Sequence, residues 1–552
     1  MSKMVIKLGT AQSGKLTAKA AVALQPVSPG SLLSIDTSVP VLRSGDNLLY
    51  VLGSPLPLVT TVPENWQQAV AKFTSYEGDF LLLYWDNAAG KLVVCNDFLG
   101  FQPLYWVKEA AAICFSNKTS VFQGEADLAG WGAFIAMGHT LANDTLTEGV
   151  TRIPPASLLV IDAGTFEVTE RCYWRFQPLS RAPSVAEVLD NYGAAIDLAL
   201  TAYSGQAQGI LLSGGYDSRL LAYMLHARQI PLAASIISHH DENLDADARS
   251  AMAIARQLGF PFQLHEPDKA FFSSSDYLQY LQVSDSEVQS LYLFISQLLQ
   301  FIQPGLYWEG LLPGFTMKSE FTSLSKMQSI TIKPFSHPLW RAAESAFGKE
   351  LATEMWQAFS QRLDTESARY PDSGEGADLF RLANRARNRI AVNPFKVFQH
   401  QARILTPGMT KDFVQTVMSV PTAAKCNEQL YKAIFKQYFP AALRVPLVHG
   451  TQIDLANSSR PADYLFRLRV FIHNQCQQRP RLAKLLLQST KRSGFLPSAF
   501  LNATELLSAT GSLPELTASA DTDEKVLRLR FYWYIWQALR DPNGIQIAGK
   551  SL

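Results

Sequence analysis

The segment SGGYDS, residues 213–218, constrains the fold of this chain more than any other part of the sequence. The apolar run 209–212 precedes it, and a helical pattern that we expect to begin near Arg219 follows it. Two glycines let a backbone approach an anion closely, and amide groups at the start of a helix point at that anion. The segment therefore predicts a strand, a phosphate-binding loop and a helix.

An aspartate lies inside this predicted loop. Asp217 would repel a phosphate group unless a divalent cation lay between them, so the sequence predicts Mg²⁺ at this residue. The loop is not a Walker A sequence, because the ending Gly-Lys-Ser or Gly-Lys-Thr is absent. The alternative is a plain Gly-Gly turn with a chance aspartate.

The residues on either side of the loop indicate more than one domain, since 552 residues exceed a single core. Residues 1–180 contain short β runs separated by turn residues, including a hairpin around AAGK, and predict a β-layered domain. Ser184 and Glu187 form a predicted capping box. A second domain is expected over 181–450. Within it, residues 209–266 alternate strands and helices, the pattern of a parallel α/β sheet, and the rest is mostly helical in period; residues 451–552 are predicted to be a helical extension.

Composition narrows the class of partner. The 49 basic and 48 acidic residues leave a formal net charge of +1, which favours neither a nucleic acid nor a membrane surface as a partner. The 5 cysteines are scattered without a CxxC pair, so neither a disulfide framework nor a zinc ribbon is expected. The apolar stretch from Leu291 contains glutamines and is too short to span a bilayer. We therefore expect a soluble cytoplasmic protein.

The loop resembles the PP-loop of the ATP pyrophosphatases, enzymes that split ATP into AMP and pyrophosphate while adenylating a substrate. Other motifs are similar to the glutaminase-type domain of asparagine synthetases. They are GDF at 78–80, WD at 85–86, ND at 96–97, PLY at 103–105 and FS at 115–116. The chain thus resembles the asparagine synthetase superfamily. The resemblance implies an α+β, β-layered, degenerate Ntn (class II glutaminase-like) domain over 1–180. An α/β PP-loop synthetase domain of the adenine nucleotide alpha hydrolase type, with a helical C-terminal part, would follow it.

The same resemblance implies ATP and Mg²⁺ as cofactors. Asp217 would hold the metal and serve in catalysis. The nucleotide contacts that the resemblance implies are Leu212, Ser213, Gly214, Gly215, Asp217, Ser218, Ile237, Ser238 and Gly310.

The N-terminus departs from the family pattern. Family glutaminases expose a cysteine after Met1, whereas Ser2 and Lys3 stand here. The first cysteine, Cys95, falls in a predicted strand and is expected in the core. Glutamine hydrolysis is therefore not expected. In lacking the nucleophile, the chain resembles β-lactam synthetases and lasso-peptide cyclases.

Two synthetase motifs depart as well. The stretch YWEGLLPG, residues 307–314, stands where the family has a Gly-rich loop with an aspartate, and Glu309 is its single carboxylate. We interpret Glu309 as a metal ligand or a general base; the alternative is a strand-end glutamate paired with a neighbouring arginine. The segment RVPLVHG, residues 444–450, lacks the family's lysine. Either Arg444 or His449 replaces it, or both are solvated loop residues.

Three further groups of polar residues have two interpretations each. Asp285 and Glu287 either face a substrate or cap a helix and face solvent. The run HHDE, residues 239–242, is either a metal site at the edge of the sheet or a solvated loop. One basic helix face either meets pyrophosphate or an anionic substrate, or is ordinary surface charge. It comprises Arg385, Arg387 and Arg389. The stretch 370–378 is predicted to be a surface loop.

These patterns predict an ATP-dependent, AMP-forming carbon–nitrogen ligase that acts without glutamine hydrolysis. The expected partner is a small molecule or peptide that carries a carboxylate and an amine, and the product is a lactam, macrolactam or other amide of natural-product biosynthesis. A homodimer or a biosynthetic partner protein is a further expectation. The alternatives are intermolecular amidation of a sugar acid or peptide, and a catalytically inactive homologue that acts as a binding partner.

Overall fold

The computed structural model describes two long parts of the chain and several short ones. The long parts are residues 41–449 and 523–541, apart from 110–111, 207, 239–245, 267–270, 272–273 and 290–300. The short ones are 4–10, 25–28, 31–37, 39, 452–453, 461, 464–465, 467–468, 471, 546–547 and 550–551. Ser2, Lys3, the 239–242 run and the stretch from Leu291 lie outside the described residues.

The N-terminal part contains two six-stranded antiparallel sheets. The first has the order β10-β8-β9-β1-β3-β2 and the second β12-β11-β7-β6-β5-β4. The strands are β1 Met4–Thr10, β2 Gln25–Ser28, β3 Ser31–Thr37, β4 Val41–Ser44, β5 Asn47–Gly53, β6 Phe80–Asp86, β7 Lys91–Asn96, β8 Tyr105–Glu109, β9 Ala112–Ser116, β10 Thr151–Arg152, β11 Ser157–Asp162 and β12 Val168–Cys172. The helices among them are α1 Trp66–Phe73 and α2 Leu128–Met137.

Strand β6 shows why these residues form a layered domain. Its residues are all buried, and successive side chains point to opposite faces of the sheet. Leu81, Leu83 and Trp85 pack in the core that also contains residues of the first sheet. Their neighbours Phe80, Leu82 and Tyr84 pack in a second cluster, with α1. The predicted hairpin is confirmed, because β6 and β7 pair with Asp86 opposite Lys91 across AAGK.

The second part is built on a five-stranded parallel sheet with the order β15-β14-β13-β16-β17. Its strands are β13 Gln208–Leu211, β14 Leu232–Ile237, β15 Phe262–His265, β16 Leu306–Trp308 and β17 Arg403–Leu405. The helices that connect the first three strands are α4 Tyr216–Ala227 and α5 Ala246–Leu258, and α3 Val185–Ala202 precedes them. The predicted capping box at the start of α3 is confirmed. The strand order reverses between β13 and β16, which is where open α/β sheets bind ligands.

The remaining helices surround the sheet and extend towards the N-terminal sandwich. They are α6 Ser275–Ser284, α7 Pro313–Thr316, α8 Leu324–Thr331, α9 Pro338–Phe347, α10 Lys349–Ser367, α11 Gly374–Arg381, α12 Lys411–Met418, α13 Thr422–Lys425, α14 Gln429–Tyr438 and α15 Glu524–Ala538. Helix α2 packs against α10 at Gly132, where a Cβ would lie 2.2 Å from the Met355 carbonyl oxygen. One apolar core therefore contains α2 together with helices from the second part of the chain.

Two expectations about helices are wrong in detail. Helix α4 begins at Tyr216 and not near Arg219, because Gly215 already has the extended backbone of an N-cap. The predicted surface loop 370–378 is half helical. Ser373 caps α11, and Asp378 is fully buried 3.2 Å from the ammonium group of Lys425.

Helix α11 continues directly into a π-helix, Leu382–Ile390, and a second π-helical segment, Asn393–Val397, follows. Runs of π-helix are rare and occur mostly at functional sites. This one forms part of the wall of the cavity described below. In the described part of the chain, no helix is long and apolar enough to cross a membrane.

Candidate functional site

A cavity of about 570 Å³ opens where the order of the parallel strands reverses. It joins the end of β13, the start of α4 and the end of β16. Of the residues that the sequence singled out, it is lined by Leu212, Ser213, Asp217, Ser218, Ile237, Glu309, Gly310, Arg385 and Arg389. Further lining residues come from α7, α8, α11 and the end of α2. The structure thus brings the glycine loop and the YWEGLLPG stretch to one site.

The backbone of the loop is held from within. The hydroxyl oxygens of Ser213 and Ser218 lie 2.9 Å apart, and the Ser213 amide donates to the Ser218 hydroxyl at 3.1 Å. Gly214 packs so tightly that a Cβ would lie 2.9 Å from Ser250 Cβ. The N-cap of helix α4 is Gly215, which has no side chain to cap the helix, and the Gly214 amide before it donates to Asp247 Oδ1 at 3.1 Å. A helix start of this kind can bind a phosphate group.

Asp217 is fixed by close neighbours. The Tyr431 hydroxyl donates a hydrogen bond to its Oδ1 atom. A Cβ on Gly314 would lie 2.3 Å from Asp217 Oδ2, and a Cβ on Gly310 would lie 2.9 Å from the backbone carbon of Asp217. The two glycines of YWEGLLPG are therefore required for the approach of this stretch to the loop. No larger residue fits at Gly310 or Gly314 without displacing the aspartate.

Glu309 follows β16 at the edge of the same cavity. Its Oε2 atom accepts a hydrogen bond of 2.7 Å from the Leu311 amide. Burial raises the pKa of Glu309 to about 8; the Leu311 hydrogen bond opposes this rise, and the charge of Asp217 adds to it. Among the described residues no arginine pairs with Glu309, which removes the ion-paired alternative from that part of the chain. A carboxylate with a raised pKa in a cavity is a candidate proton acceptor.

The two carboxylates suit a magnesium ion in chemical terms. Mg²⁺ is usually held by one or two protein carboxylates, with phosphate oxygens and water completing its octahedral shell. Asp217 and Glu309 line one cavity beside a phosphate-type loop, which is such a donor set. The described residues contain no cluster of three or more histidine, cysteine, aspartate or glutamate side chains that could form a complete protein cage.

Arg219 connects the loop to residues 442–446, which overlap the RVPLVHG segment. Its guanidinium is buried and donates to the carbonyl oxygen of Gly214 at 2.8 Å. It also donates to three carbonyl oxygens of that distant segment, namely those of Ala442, Val445 and Pro446. Arg444 is exposed, as the solvated alternative requires, and the side chain of His449 lies outside the described residues.

Three arginines do lie on one helix face, but they are not the three that the sequence analysis named. Arg381, Arg385 and Arg389 line the cavity. Arg387 does not, because residues two apart on a helix point in different directions. It is buried against the sandwich domain, where its guanidinium donates to the Ala142 and Ile153 carbonyl oxygens at 2.9 and 2.6 Å. Arg387 is thus a structural residue.

Five other residues that the sequence singled out do not line the cavity, namely Gly214, Gly215, Ser238, Asp285 and Glu287. The Ser238 amide donates to the His265 carbonyl oxygen at 2.8 Å. Asp285 and Glu287 face neither a substrate nor solvent. Both are near Lys396, which is fully buried, at 3.7 and 2.9 Å. Burial alone would raise the pKa of Asp285, but Lys396 and two further cations hold it below its usual value.

Several cavity residues escaped the sequence reasoning. They are Met137, His139, Lys318, Glu320 and Arg381. His139 and Met137 lie at the end of α2 in the N-terminal part, and only the fold brings them here. Burial lowers the pKa of His139 to about 3, so its imidazole is neutral. Arg381 carried a usable signal, since it precedes Arg385 by four residues, the spacing of one helix face.

Two of the three cysteines of the sandwich domain that the structure describes are inaccessible, and the third, Cys172, is exposed at the end of β12. Cys95 and Cys114 are both fully buried in sheet cores. Burial raises the pKa of the Cys114 thiol to about 12 and raises that of Cys95 further. The expectation that Cys95 is a core residue is confirmed. Neither thiol can act as a nucleophile, because a cysteine attacks as the thiolate.

The comparisons with known proteins concern the N-terminal part. Residues 59–174 match the family of the glutamine amidotransferase domain. The sheet domain is therefore of the glutamine amidotransferase type, which confirms the expectation for this part of the chain. No curated protein matches the chain significantly.

Two solved structures are similar at low level. One is described as the allosteric regulatory enzyme of purine biosynthesis, with 10% identity, a TM-score of 0.18 and coverage of 48% of this chain and 74% of that one. The other is the glutamine phosphoribosylpyrophosphate amidotransferase from B. subtilis, complexed with ADP and GMP. Its values are 10% identity, a TM-score of 0.17 and coverage of 55% and 63%. At these TM-scores neither likeness supports an argument.

Proposed function

We propose that this chain is an ATP-dependent ligase that forms carbon–nitrogen bonds by adenylating a carboxylate. One observation carries the proposal: the SGGYDS loop joins a parallel strand to a helix at the reversal of strand order, and Asp217 and Glu309 line the cavity there. Open α/β sheets bind ligands at this point. The glutamine amidotransferase type of residues 59–174 also favours chemistry at carbon–nitrogen bonds.

In the proposed reaction, a substrate carboxylate attacks the α-phosphorus of ATP and pyrophosphate leaves. The amide groups at the start of α4 and the hydroxyls of Ser213 and Ser218 would bind the phosphate oxygens. Mg²⁺ at Asp217 would neutralise charge on those oxygens. An amine then displaces AMP and loses a proton, which Glu309 would accept.

The proposed amine does not come from glutamine hydrolysed by this chain. Of the three described cysteines of the amidotransferase-type domain, Cys95 and Cys114 are buried with raised thiol pKa values, and Cys172 is exposed at the end of β12 and is not among the residues that line the cavity. The amine would belong to the acid substrate itself, giving a lactam or macrolactam, or to a second molecule, giving an open amide.

Isotope exchange tests the adenylation step. Purified protein would be given ATP, Mg²⁺, labelled pyrophosphate and pooled carboxylic acids, and the labelling of ATP would be followed. We expect exchange in the wild type and its loss in Asp217→Asn. Asp190→Asn removes an exposed carboxylate on α3 and should leave exchange unchanged.

Calorimetric titration with Mg-ATP accompanies the exchange assay, because an unsuitable acid pool also gives no exchange. Binding of Mg-ATP that Asp217→Asn weakens would keep the proposal and direct effort to the acid. Absence of both exchange and Mg-ATP binding in folded protein would contradict it and favour a non-catalytic binding partner.

Glu309→Gln separates adenylation from amide formation. If Glu309 accepts the proton of the amine, this variant should retain pyrophosphate exchange and lose amide formation by about 100-fold or more. Loss of exchange together with amide formation would instead assign Glu309 to the metal. Glu350→Gln, on an exposed part of α10, is the matched control.

A further inference from the structure

One wall of the cavity carries more positive charge than the protein compensates. Arg381, Arg385 and Arg389 follow one another at intervals of four residues along α11 and the π-helix. This spacing places them on one face, and the row is at most about 12 Å long at 1.5 Å per residue. Lys318 lines the same cavity.

Glu320 is the carboxylate that pairs with this cationic wall. It lies 3.2 Å from Arg381 and 3.7 Å from Lys318. In the described part of the chain, the guanidinium groups of Arg385 and Arg389 form no hydrogen bond and no ion pair. Arg381 is only 8% exposed. Its Nη1 atom is buried and has no hydrogen-bond partner among the described residues. A buried guanidinium nitrogen without an acceptor is unfavourable unless a ligand supplies one.

The charges also repel one another. Partial burial, together with the charges of Arg389 and Arg381, lowers the pKa of Arg385 to about 10, and the charge of Glu320 opposes this shift. Like charges held together in a concave site destabilise the free protein, and an anion relieves that repulsion. The wall therefore favours a negatively charged occupant on two counts, hydrogen bonding and charge.

The row leads away from the phosphate loop. Arg381 stacks over Phe315, 5.6 Å from the ring centre, and Phe315 follows the Gly314 that touches Asp217. At the other end, a Cβ on Gly138 would lie 3.1 Å from Nη1 of Arg389. Gly138 ends α2, in the sandwich domain. The cavity thus runs from the proposed adenylation centre to the N-terminal part, with arginines along its side.

The space between is apolar. Its apolar lining residues include Met137, Phe315, Phe321, Met327, Phe380 and Phe398. A ligand that reaches from Asp217 to Arg389 would therefore cross an aromatic section before it meets the far arginines.

We propose that the acid which this enzyme activates carries at least one further anionic group, bound by Arg385 and Arg389 at the far end of the cavity. This inference rests on the proposed function for the identity of the reacting carboxylate. The substrate class is then a polycarboxylic acid, or an acidic peptide, with an apolar portion between its reacting carboxylate and its second acidic group. Arg385 and Arg389 select this substrate and do not take part in the chemistry.

Calorimetry with benzene-1,3,5-tricarboxylate and with benzoate tests the anion site directly. Both probes are aromatic, and they differ in the number of carboxylates. The protein would be titrated first alone and then saturated with Mg²⁺ and α,β-methylene-ATP, which occupies the phosphate loop. We expect the tricarboxylate to bind at least tenfold more tightly than benzoate in both states.

Arg385→Gln/Arg389→Gln should abolish that tenfold preference and leave binding of the ATP analogue unchanged. Arg175→Gln/Arg341→Gln removes the same net charge from exposed positions and should change neither. Because the substitutions relieve repulsion, the thermal midpoint of the cavity variant should equal or exceed that of the wild type.

Three outcomes would overturn the inference. They are equal binding of the two probes, an equal loss in the surface control, and a loss of ATP-analogue affinity in the cavity variant, which would assign the arginines to the phosphates. Failure of the proposed function gives a different result. The wild type would not bind the ATP analogue, while the probes would still report on the anion site.

Discussion

Gly314 and Asp217 illustrate how a single missing side chain determines the geometry of a site. The glycine lies at the second position of α7, where alanine has the better helix propensity. A Cβ there would lie 2.3 Å from Asp217 Oδ2, far inside the contact distance of a carbon and an oxygen. The glycine is therefore explained by the aspartate beside it and not by its own helix.

We expect Gly314→Ala to displace Asp217 and to reduce pyrophosphate exchange by about 100-fold, the usual effect of a small misplacement in an active site. Folding should be nearly unchanged, as circular dichroism melting would show. Gly205→Ala is the control for exchange, since a Cβ at Gly205 meets nothing within 4 Å and only the backbone strain of alanine at φ +75° is added there. Full exchange in Gly314→Ala would contradict the proposed position of Asp217 against the nucleotide.

Two buried aspartates of the sandwich domain make the stability depend on pH. Burial raises the pKa of Asp79 to about 7, although the amides of Gln399 and Gln102 donate to its carboxylate and oppose this rise. Burial likewise raises the pKa of Asp97 to about 6, against three backbone hydrogen bonds. Both carboxyl groups bind protons more tightly in the folded chain than in the unfolded one.

The raised pKa of Asp79 predicts that stability falls as pH rises from about 4 to 7, because unfolding releases a proton in this range. Asp79→Asn should remove this part of the dependence, giving a flatter thermal midpoint between pH 5 and pH 8 than the wild type. Asp46→Asn, in the exposed turn before β5, should retain the slope. A slope unchanged by Asp79→Asn would show that this carboxyl group is ionised in the folded protein.

At the scale of residues, sequence reasoning found residues that share one cavity where the sequence signal is local, and their roles stay predictions. Asp217 and Glu309 were found from a loop motif and a turn, and both line the cavity. Arg387 was misassigned, because a run of alternating arginines was taken as one face although helix geometry separates neighbours two apart. His139 was not predicted, because no pattern near it in the sequence indicates contact with residues so far away in the chain.

At the scale of elements, the segment around the 3₁₀-helix Pro440–Arg444 and the strand Val448–His449 acts as a support for the phosphate loop. Arg219 connects the two through buried hydrogen bonds to carbonyl oxygens, and the Val448 amide donates to the Gly214 carbonyl oxygen at 3.3 Å. The loop is therefore held from behind by a segment more than 200 residues away.

Arg219→Met should leave these carbonyl oxygens without a donor and free the segment. We expect faster amide hydrogen exchange in residues 442–448, weaker Mg-ATP binding, and destabilisation of about 3 kcal/mol or more, since several buried acceptors lose their partner. Arg444→Met changes an exposed arginine in the same segment and should have no such effect. Equal exchange rates in the two variants would exclude the supporting role.

The elements themselves were predictable where the hydrophobic period was regular, as in β13, α4 and the capping box of α3. Prediction failed at residues 374–381, because small and acidic residues are typical of loops. A tertiary contact supports the helix there, because Asp378 lies 3.2 Å from the ammonium group of Lys425. The π-helix that follows has no sequence signal that we recognise.

On the scale of the whole molecule, buried polar side chains join the sandwich domain to the rest of the chain. Arg152 donates to Asn388 Oδ1 at 3.0 Å, and Arg387 returns hydrogen bonds to the sandwich side. Asp285 accepts from the Thr119 hydroxyl at 2.9 Å and lies near Lys396. Arg387 and Asp285 thus help to join the sandwich domain to the rest of the chain, a role that the sequence motifs do not indicate.

Lys396→Met should leave Glu287 and Asp285 as buried carboxylates without this cation, which destabilises proteins by about 3–5 kcal/mol. Because the cluster spans the junction, we expect calorimetric melting to separate into two transitions where the wild type shows one. Lys432→Met, which breaks an exposed pair with Glu428, should leave the melting profile unchanged. A single transition at the wild-type temperature would contradict the role of the cluster.

The end of α2 has a consequence for the fate of the activated acid. Met137 and His139 form part of the cavity wall, although they belong to the amidotransferase-type domain in the N-terminal part of the chain. An acyl-adenylate is a mixed anhydride, which water destroys unless the site is closed. If the proposed adenylation takes place, the sandwich domain would serve as a barrier against hydrolysis rather than as a source of ammonia. A chain shortened to its parallel-sheet part would then hydrolyse the acyl-adenylate, so that it would consume ATP and release the free acid.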